Sequence, residues 1–240
     1  MIKVGLFGGS FDPIHCGHLE PVKEARRRLG LERVIYLPTA VPPHKPRRSL
    51  APPLARYAMV ELALLHEEGL EASPYELTLD RPAYTVETLA HWQRHLPSAE
   101  LYLIVGSDSF RELPHWVRWR EIAAAARLVV LSRPGWELGD LARPPAAAAD
   151  GQAAADRQAA ADGQAAADGQ ALAAANAQAA AEAAELAALA ASERVHLIDQ
   201  RPYEVSSTRL REMLARGERP PAGWMPGLVV DFVQKYSLYR

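Results

Sequence analysis

The sequence predicts an α/β fold, a doubly wound parallel sheet wrapped by helices, and three observations predict it. Five runs, at 2–7, 33–37, 100–105, 127–131 and 194–198, are almost continuously apolar, as strands buried on both faces must be. Helical patterns at about 18–29, 52–67, 85–95 and 118–126 fall between strands, and such alternation pairs the strands in parallel through helical crossovers. With 49% of its 240 residues hydrophobic the chain can fill such a core, and a single cysteine leaves no intrachain disulfide to help.

The first run, Ile2 to Phe7, opens the chain without the basic and apolar segments of a cleavable signal, and no uncharged apolar run is long enough to span a membrane. Together with the lone Cys16, this sets the expectation of a cytoplasmic protein off the membrane. The runs Arg33 to Leu37, Glu100 to Val105, Arg127 to Leu131 and Arg194 to Ile198 supply the remaining strands. Thr85 stands where the helix over 85–95 begins, and its hydroxyl suits a cap. Late in the chain Ser206 can cap a helix that reaches Arg216, with Gly217 in the stop position, and a final helix runs from near Pro226 to about Tyr236.

One segment breaks the pattern. Residues 144–191 hold 27 alanines in 48 positions and repeat a six-residue unit of the form Asp-Gly-Gln-Ala-Ala-Ala from Asp150 to Gln170. Six residues advance a helix by about 600°, so the aspartates share no face, and each glycine costs about 1 kcal/mol relative to alanine. These features mark 144–170 as a mobile, low-complexity insertion and 177–191, with Leu186 and Leu189, as a candidate short helix. The expected organisation is a single domain over 1–240 interrupted at about 144–191, in a surface connection that contributes little to the core. The chain carries 27 basic and 29 acidic side chains; without this segment 26 basic face 23 acidic. A mildly basic body suits a small anion, and the lack of a basic aromatic stripe argues against nucleic acid.

The chemistry concentrates at two places. The first strand runs into Gly8-Gly9-Ser10-Phe11-Asp12-Pro13-Ile14-His15-Cys16-Gly17-His18. Glycines after a buried strand let backbone amides approach a bound group, and the following helix start favours anions. His15 and His18, three apart, fall on one face of its first turn and make a cradle for phosphate oxygens. The glycine spacing is neither that of a Walker loop nor that of the dinucleotide fingerprint. A zinc site on His15, Cys16 and His18 is spaced too tightly, and Cys16 as nucleophile is weakly supported. The second place is Val205-Ser206-Ser207-Thr208-Arg209-Leu210-Arg211. Ser207 lies four residues and Thr208 three residues before Arg211, so one face of a helix start presents two hydroxyls, amides and a guanidinium suited to pyrophosphate. Alone, this would read as a helix cap with solvated arginines.

Together the two motifs resemble the nucleotidyltransferase superfamily with a His-x-Gly-His signature after a Gly-rich turn and an Ile-Ser-Ser-Thr-x-Ile-Arg signature in its adenylylating members. Ser10 stands where that turn usually has threonine, and the signature arginine is Arg211, not Arg209. Three middle segments sharpen the resemblance to the bacterial nicotinate mononucleotide adenylyltransferases. They are Val41-Pro42-Pro43-His44-Lys45, Pro82 to Leu89 around Tyr84 and Thr85, and Val105-Gly106-Ser107-Asp108-Ser109-Phe110 with Leu113 to Trp119 and Ser132-Arg133-Pro134-Gly135.

That resemblance implies a Rossmann-like sheet and adenylyl transfer from ATP, with Mg²⁺, to nicotinate mononucleotide. It implies His15, His18 and Arg211 as catalytic residues, and an ATP site of Gly8, Gly9, Ser10, Phe11, His15, His18, Gly106, Asp108, Ser207, Thr208 and Arg211. The acceptor site would comprise His44, Lys45, Tyr84, Thr85, Trp116 and Arg133, with no metal held by the protein itself. Nicotinamide mononucleotide or phosphopantetheine as acceptor, and a nucleotide sensor without catalysis, are the alternatives. The oligomeric state, a homo-oligomer included, is left open.

Overall fold

The structure, a computed structural model, describes residues 1–40, 50–132, 165–199 and 203–240. Six strands form one sheet: β1 (Ile2–Gly9), β2 (Arg33–Pro38), β3 (Leu70–Ala72), β4 (Ala99–Gly106), β5 (Arg127–Ser132) and β6 (Val195–Asp199). All pairings are parallel, in the order β3-β2-β1-β4-β5-β6. The predicted doubly wound sheet is therefore observed, with one strand more than expected. Leu70-Glu71-Ala72 pairs with Val34 to Tyr36 at the sheet edge, and three residues without a β-branched side chain carry no strand signal.

Side chains alternate across the sheet and fill two core layers. Phe7, Tyr36, Ile104 and Val129 face the first, with helices α1 (Cys16–Leu29), α2 (Pro53–Leu64), α7 (Ser207–Ala215) and α8 (Gly227–Lys235). Leu6, Ile35, Leu103 and Val130 face the second, with α3 (Thr85–His95), α4 (Ser107–Arg111), α5 (Trp119–Ala125) and α6 (Ala165–Ala190). Helix α1 stops at Gly30, whose φ of +63° suits a residue without Cβ and whose N–H donates to the Arg26 carbonyl. Arg26, Arg27 and Arg28 occupy its last turn, where cations complement the helix dipole. Among the described residues no helix is long and apolar enough to cross a membrane.

Helix α6 corrects the reading of the Ala-rich segment. It begins at Ala165, includes Asp168-Gly169-Gln170 and continues through 26 residues, so the candidate helix over 177–191 is only its second half. The favourable alanines outweigh the isolated glycine. Its C-terminal end is also structural: Leu186 and Ala190 are buried in the second core layer, and Glu185 makes a two-pronged ion pair with Arg120 at 2.7 and 3.0 Å. The predicted mobile stretch up to residue 164 lies outside the described residues.

Two deletions separate these parts. Replacing 146–175 by a short linker is expected to leave the melting temperature within a few degrees and the activity within a few-fold of the parent, since loop closure depends weakly on length. Extending the deletion to 190 removes Leu186; losing a buried leucine costs about 2–5 kcal/mol, or roughly 5–15 °C of melting temperature. Thermal melts of the two variants check the difference.

Candidate functional site

The strand order reverses between β1 and β4, and ligands of open parallel sheets bind outside the strand ends at such a point. Gly8 and Gly9 end β1, and Gly106 ends β4 beside them. A Cβ on Gly8 or Gly106 would meet nothing within 4 Å, so both edges are open to another molecule. Gly9 has a different job: a Cβ there would fall 2.9 Å from the Phe11 ring. Phe11 itself has φ +45° and is 1% exposed, packed edge-on to Phe7 and His18, so any nucleotide contact it makes comes from its backbone.

His15 is the residue before α1 and His18 its third, with ring centroids 3.8 Å apart. The His15 amide donates to His18 Nδ1 at 3.3 Å, so the neutral His18 ring carries its proton on Nε2, as a donor. Not every amide around this turn is available to an anion, as the sequence had suggested. That of Cys16 donates to the Trp224 carbonyl at 2.9 Å and that of His18 to the His15 carbonyl at 2.8 Å. Burial, then Glu20, pushes the Cys16 thiol up, against a nucleophilic role.

Burial pushes His15 down to about 4, which keeps its imidazole neutral near pH 7. The unfolded chain takes up this proton near the ordinary 6.5, so the stability involved is complete above that pH and is lost as pH falls toward 4. The loss approaches about 3 kcal/mol. Denaturant titrations between pH 7 and 4 should show a shallower loss of stability in His15→Asn than in the parent.

The second motif docks on the first. Ser206 caps α7 by accepting from the Arg209 amide at 3.2 Å, as the sequence predicts. Ser207 Oγ donates to the Pro13 carbonyl at 3.2 Å, and Arg211 Nη1 donates to the Asp12 carbonyl at 2.7 Å. Arg211 Nη2 also donates to Thr208 Oγ1 at 3.3 Å. Arg209 instead lies over the Trp224 ring, 4.5 Å from its centroid. Two hydroxyls, a guanidinium and the His15–His18 pair thus share one wall; Thr208, Arg211 and the imidazoles can donate to phosphate oxygens, whereas the Ser207 proton is given to Pro13 and would have to turn from it.

Two buried residues that the sequence reading missed hold this wall. Arg56, fully buried, donates to the carbonyls of Ser10 (2.6 Å), Thr39 (2.7 Å) and Ala51 (3.0 Å), tying the β1 and β2 loops to the approach to α2. Asp12, also fully buried, accepts from the Ala51 amide at 3.0 Å and the Tyr239 hydroxyl at 2.7 Å. An arginine in an amphipathic helix and an aspartate before proline look solvated in sequence; only the fold buries them.

The opposite wall starts at α3. Thr85 is the first residue of that helix, not its cap: Tyr84 occupies the cap position in extended conformation, 42% exposed, with no side-chain cap bond. Thr85 therefore offers its own amide and hydroxyl at a helix N-terminus. Glu76, another residue missed, lies buried beneath and accepts from the Thr88 hydroxyl at 2.9 Å and from the Thr39 side chain, linking α3 to the end of β2. Burial raises its carboxyl above the ordinary range. Trp116 is half-buried against the second core layer, whereas Trp119 is a core residue at 6% exposure. Asp108, in α4, has a side chain 59% exposed that pairs with Arg111 at 3.1 Å. His44, Lys45 and Arg133 lie outside the described residues.

Comparison with known proteins bears on the family and the fold. The sequence model of the cytidylyltransferase-like family matches residues 6–213. A protein of Aeromonas hydrophila named probable nicotinate-nucleotide adenylyltransferase is 36% identical, over 99% of this chain and 97% of that relative. One of the same name from Laribacter hongkongensis is 36% identical, over 100% of this chain and 95% of the relative. Among solved structures, Plasmodium falciparum nicotinic acid mononucleotide adenylyltransferase complexed with NaAD superposes with a TM-score of 0.67 at 14% identity, covering 100% and 98% of the two chains. At that identity the likeness speaks for the fold.

Proposed function

The chain belongs to the cytidylyltransferase-like family and, within it, to the nicotinate-nucleotide adenylyltransferases, and from that membership and the phosphate-facing geometry we propose that it joins ATP and nicotinate mononucleotide into nicotinate adenine dinucleotide, releasing pyrophosphate, in NAD biosynthesis. The observation that carries the reading is the docking of Ser207 and Arg211 on the Asp12–Pro13 backbone, next to His15 and His18. An oxygen of the acceptor's 5′-phosphate attacks the α-phosphorus of ATP, and the bond from that phosphorus to the oxygen bridging to the β-phosphorus breaks. Pyrophosphate carries away the electron pair. Because the acceptor is itself the nucleophile, the protein's share is positioning and charge stabilisation.

The roles follow the two walls. His15 and His18 meet the α-phosphoryl oxygens, and Ser207, Thr208 and Arg211 hold the departing β- and γ-phosphates. Gly8, Gly9, Ser10, the Phe11 backbone and Gly106 admit the nucleotide along the strand ends, and Asp108 meets its hydroxyls. Tyr84, Thr85 and Trp116 form the pyridine side; His44, Lys45 and Arg133, outside the described residues, are assigned to the acceptor by family resemblance alone, Lys45 and Arg133 to its phosphate. Mg²⁺ would come with the ATP phosphates, as part of the substrate. A lone cysteine and an ATP substrate suit the cytoplasm.

The test is an assay of the purified chain with ATP, Mg²⁺ and, in parallel, nicotinate mononucleotide, nicotinamide mononucleotide or phosphopantetheine. Dinucleotide and pyrophosphate formed fastest with the nicotinate compound are expected. Preference for either other acceptor moves the assignment to that acceptor, and ATP binding without turnover would make the chain a sensor.

A further inference from the structure

The C-terminal tail reaches the phosphate wall through one contact. Past α8 the chain turns through Ser237 and Tyr239, at φ +51° and +72°, and the Tyr239 hydroxyl donates to Asp12 Oδ1 at 2.7 Å. Two left-handed non-glycine residues in three positions are unfavourable by themselves, so packing of Leu238 and Tyr239 on the first core layer and this bond must hold the tail. Asp12 connects the tail to the site. Its main-chain carbonyl accepts from Arg211 Nη1 at 2.7 Å, and its Oδ2 lies 3.7 Å from the same nitrogen, too far for a hydrogen bond. The carboxylate thus makes its hydrogen bonds with Ala51 and Tyr239 and meets Arg211 only through the longer 3.7 Å ion pair of Oδ2, so the guanidinium, on a side chain still 26% exposed, keeps donors for another anion.

We propose that Tyr239 is a positioning residue of the adenylyl-transfer site: by holding the Asp12 carboxylate, it keeps Arg211 oriented and its outer donors open to the phosphates that leave as pyrophosphate. The proposal rests on the adenylyl transfer given above and on Arg211 as the pyrophosphate ligand, not on the identity of the acceptor. Burial first, and Asp12 next, hold the phenol proton well above the ordinary tyrosine range, so Tyr239 remains a donor at any working pH. Without the hydroxyl, Oδ1 keeps a single donor, the Ala51 amide, and the carboxylate can rotate onto Arg211 and compete with phosphate for it.

The experiment is a double-mutant cycle on the full chain, read by calorimetric binding of inorganic pyrophosphate and by kcat and KM for both substrates. In Tyr239→Phe we expect pyrophosphate affinity and kcat/KM for ATP to fall about tenfold while KM for nicotinate mononucleotide stays within twofold. In the Arg211→Ala background the same change should cost less than twofold, because no guanidinium remains to be positioned. Asp12→Asn keeps the acceptor but removes the charge that competes for Arg211, so it should bind pyrophosphate at least as tightly as the parent when Arg211 is present and should make no difference in the Arg211→Ala background; it supplies the cycle if the phenylalanine variant does not fold, and a loss of affinity in it would overturn the proposal. Equal losses with and without Arg211, no loss in Tyr239→Phe, or a lowered melting temperature with unchanged pyrophosphate binding would each overturn the proposal, as would a parent chain that binds no pyrophosphate. A parent that shows the expected cycle yet does not use nicotinate mononucleotide overturns the acceptor assignment alone.

Discussion

Replacing His18 by alanine is expected to lower kcat by about 10²–10³, comparable to deletion of one oxyanion donor, with a smaller change in KM for ATP. The expectation comes from how the ring is held. The His15 amide occupies Nδ1, the His15 ring lies against one side and the Phe11 ring meets it edge-on, so the Nε2 proton is a donor in a preset orientation. A preset donor helps most where charge is growing, which in this reaction is on the oxygens of the α-phosphoryl group. Ground-state ATP, which the proposed site would hold also through Ser207, Thr208 and Arg211, should notice the loss less. Steady-state kinetics on a variant shown by circular dichroism to be folded checks this, and near-parental kcat would take His18 out of the reacting centre.

A preference for the acid over the amide acceptor of about 10²–10⁴ in kcat/KM is the larger expected effect. The two acceptors differ only in a carboxylate against a neutral carboxamide, so the pocket must read charge rather than size. The start of α3 can do so: Thr85 is its first residue, and the early amides of a helix lack intrahelical acceptors and favour negative charge. Glu87, in the same turn, is paired with Arg81 at 2.7 Å, which moderates its repulsion of an incoming carboxylate. A carboxamide turned the wrong way would leave two or more donors unmet, at about 1–3 kcal/mol each. Trp116 offers stacking that both pyridines share, so Trp116→Ala should impair both acceptors together while changes at Thr85 narrow the gap. Competitive turnover of the two mononucleotides measures it; equal rates would remove the nicotinate assignment and leave an adenylyltransferase of broader acceptor range.

The parts of the site that could be read in the sequence are those whose chemistry is local. His15 and His18 lie three apart after Gly8-Gly9, Ser206 stands before a helix, and Arg211 falls within one helical turn of Ser207 and Thr208. Each is a statement about one turn of backbone, and each element appears in the structure. Thr85 shows how fine the limit is: the helix starts where its pattern begins, but the cap is Tyr84, one residue earlier, because capping depends on backbone angles that composition does not specify. The Ala-rich segment shows the opposite failure. Its repeat and glycines suggested little structure up to residue 170 and a short helix over 177–191; that helix is present but begins at Ala165, and its burial was not foreseen, since Leu186 and Ala190 gain their value from the layer they meet.

By itself, then, the sequence determined the doubly wound parallel sheet, through apolar runs and helical periodicity, and the two motifs that meet at the end of β1, through spacings within a turn. Only the tertiary structure decided that Arg211 would rest on Asp12 across 199 residues, that Arg56 would be buried among carbonyls, that Glu76 would join α3 to β2, and that the tail would end on Asp12 through Tyr239. The physical reason is the same in each case. A charged or polar side chain looks solvated in a local segment, and burying it is unfavourable unless its partners arrive with it. Here those partners come from elements far apart in the chain, so its role exists only once the sheet has brought them to one end.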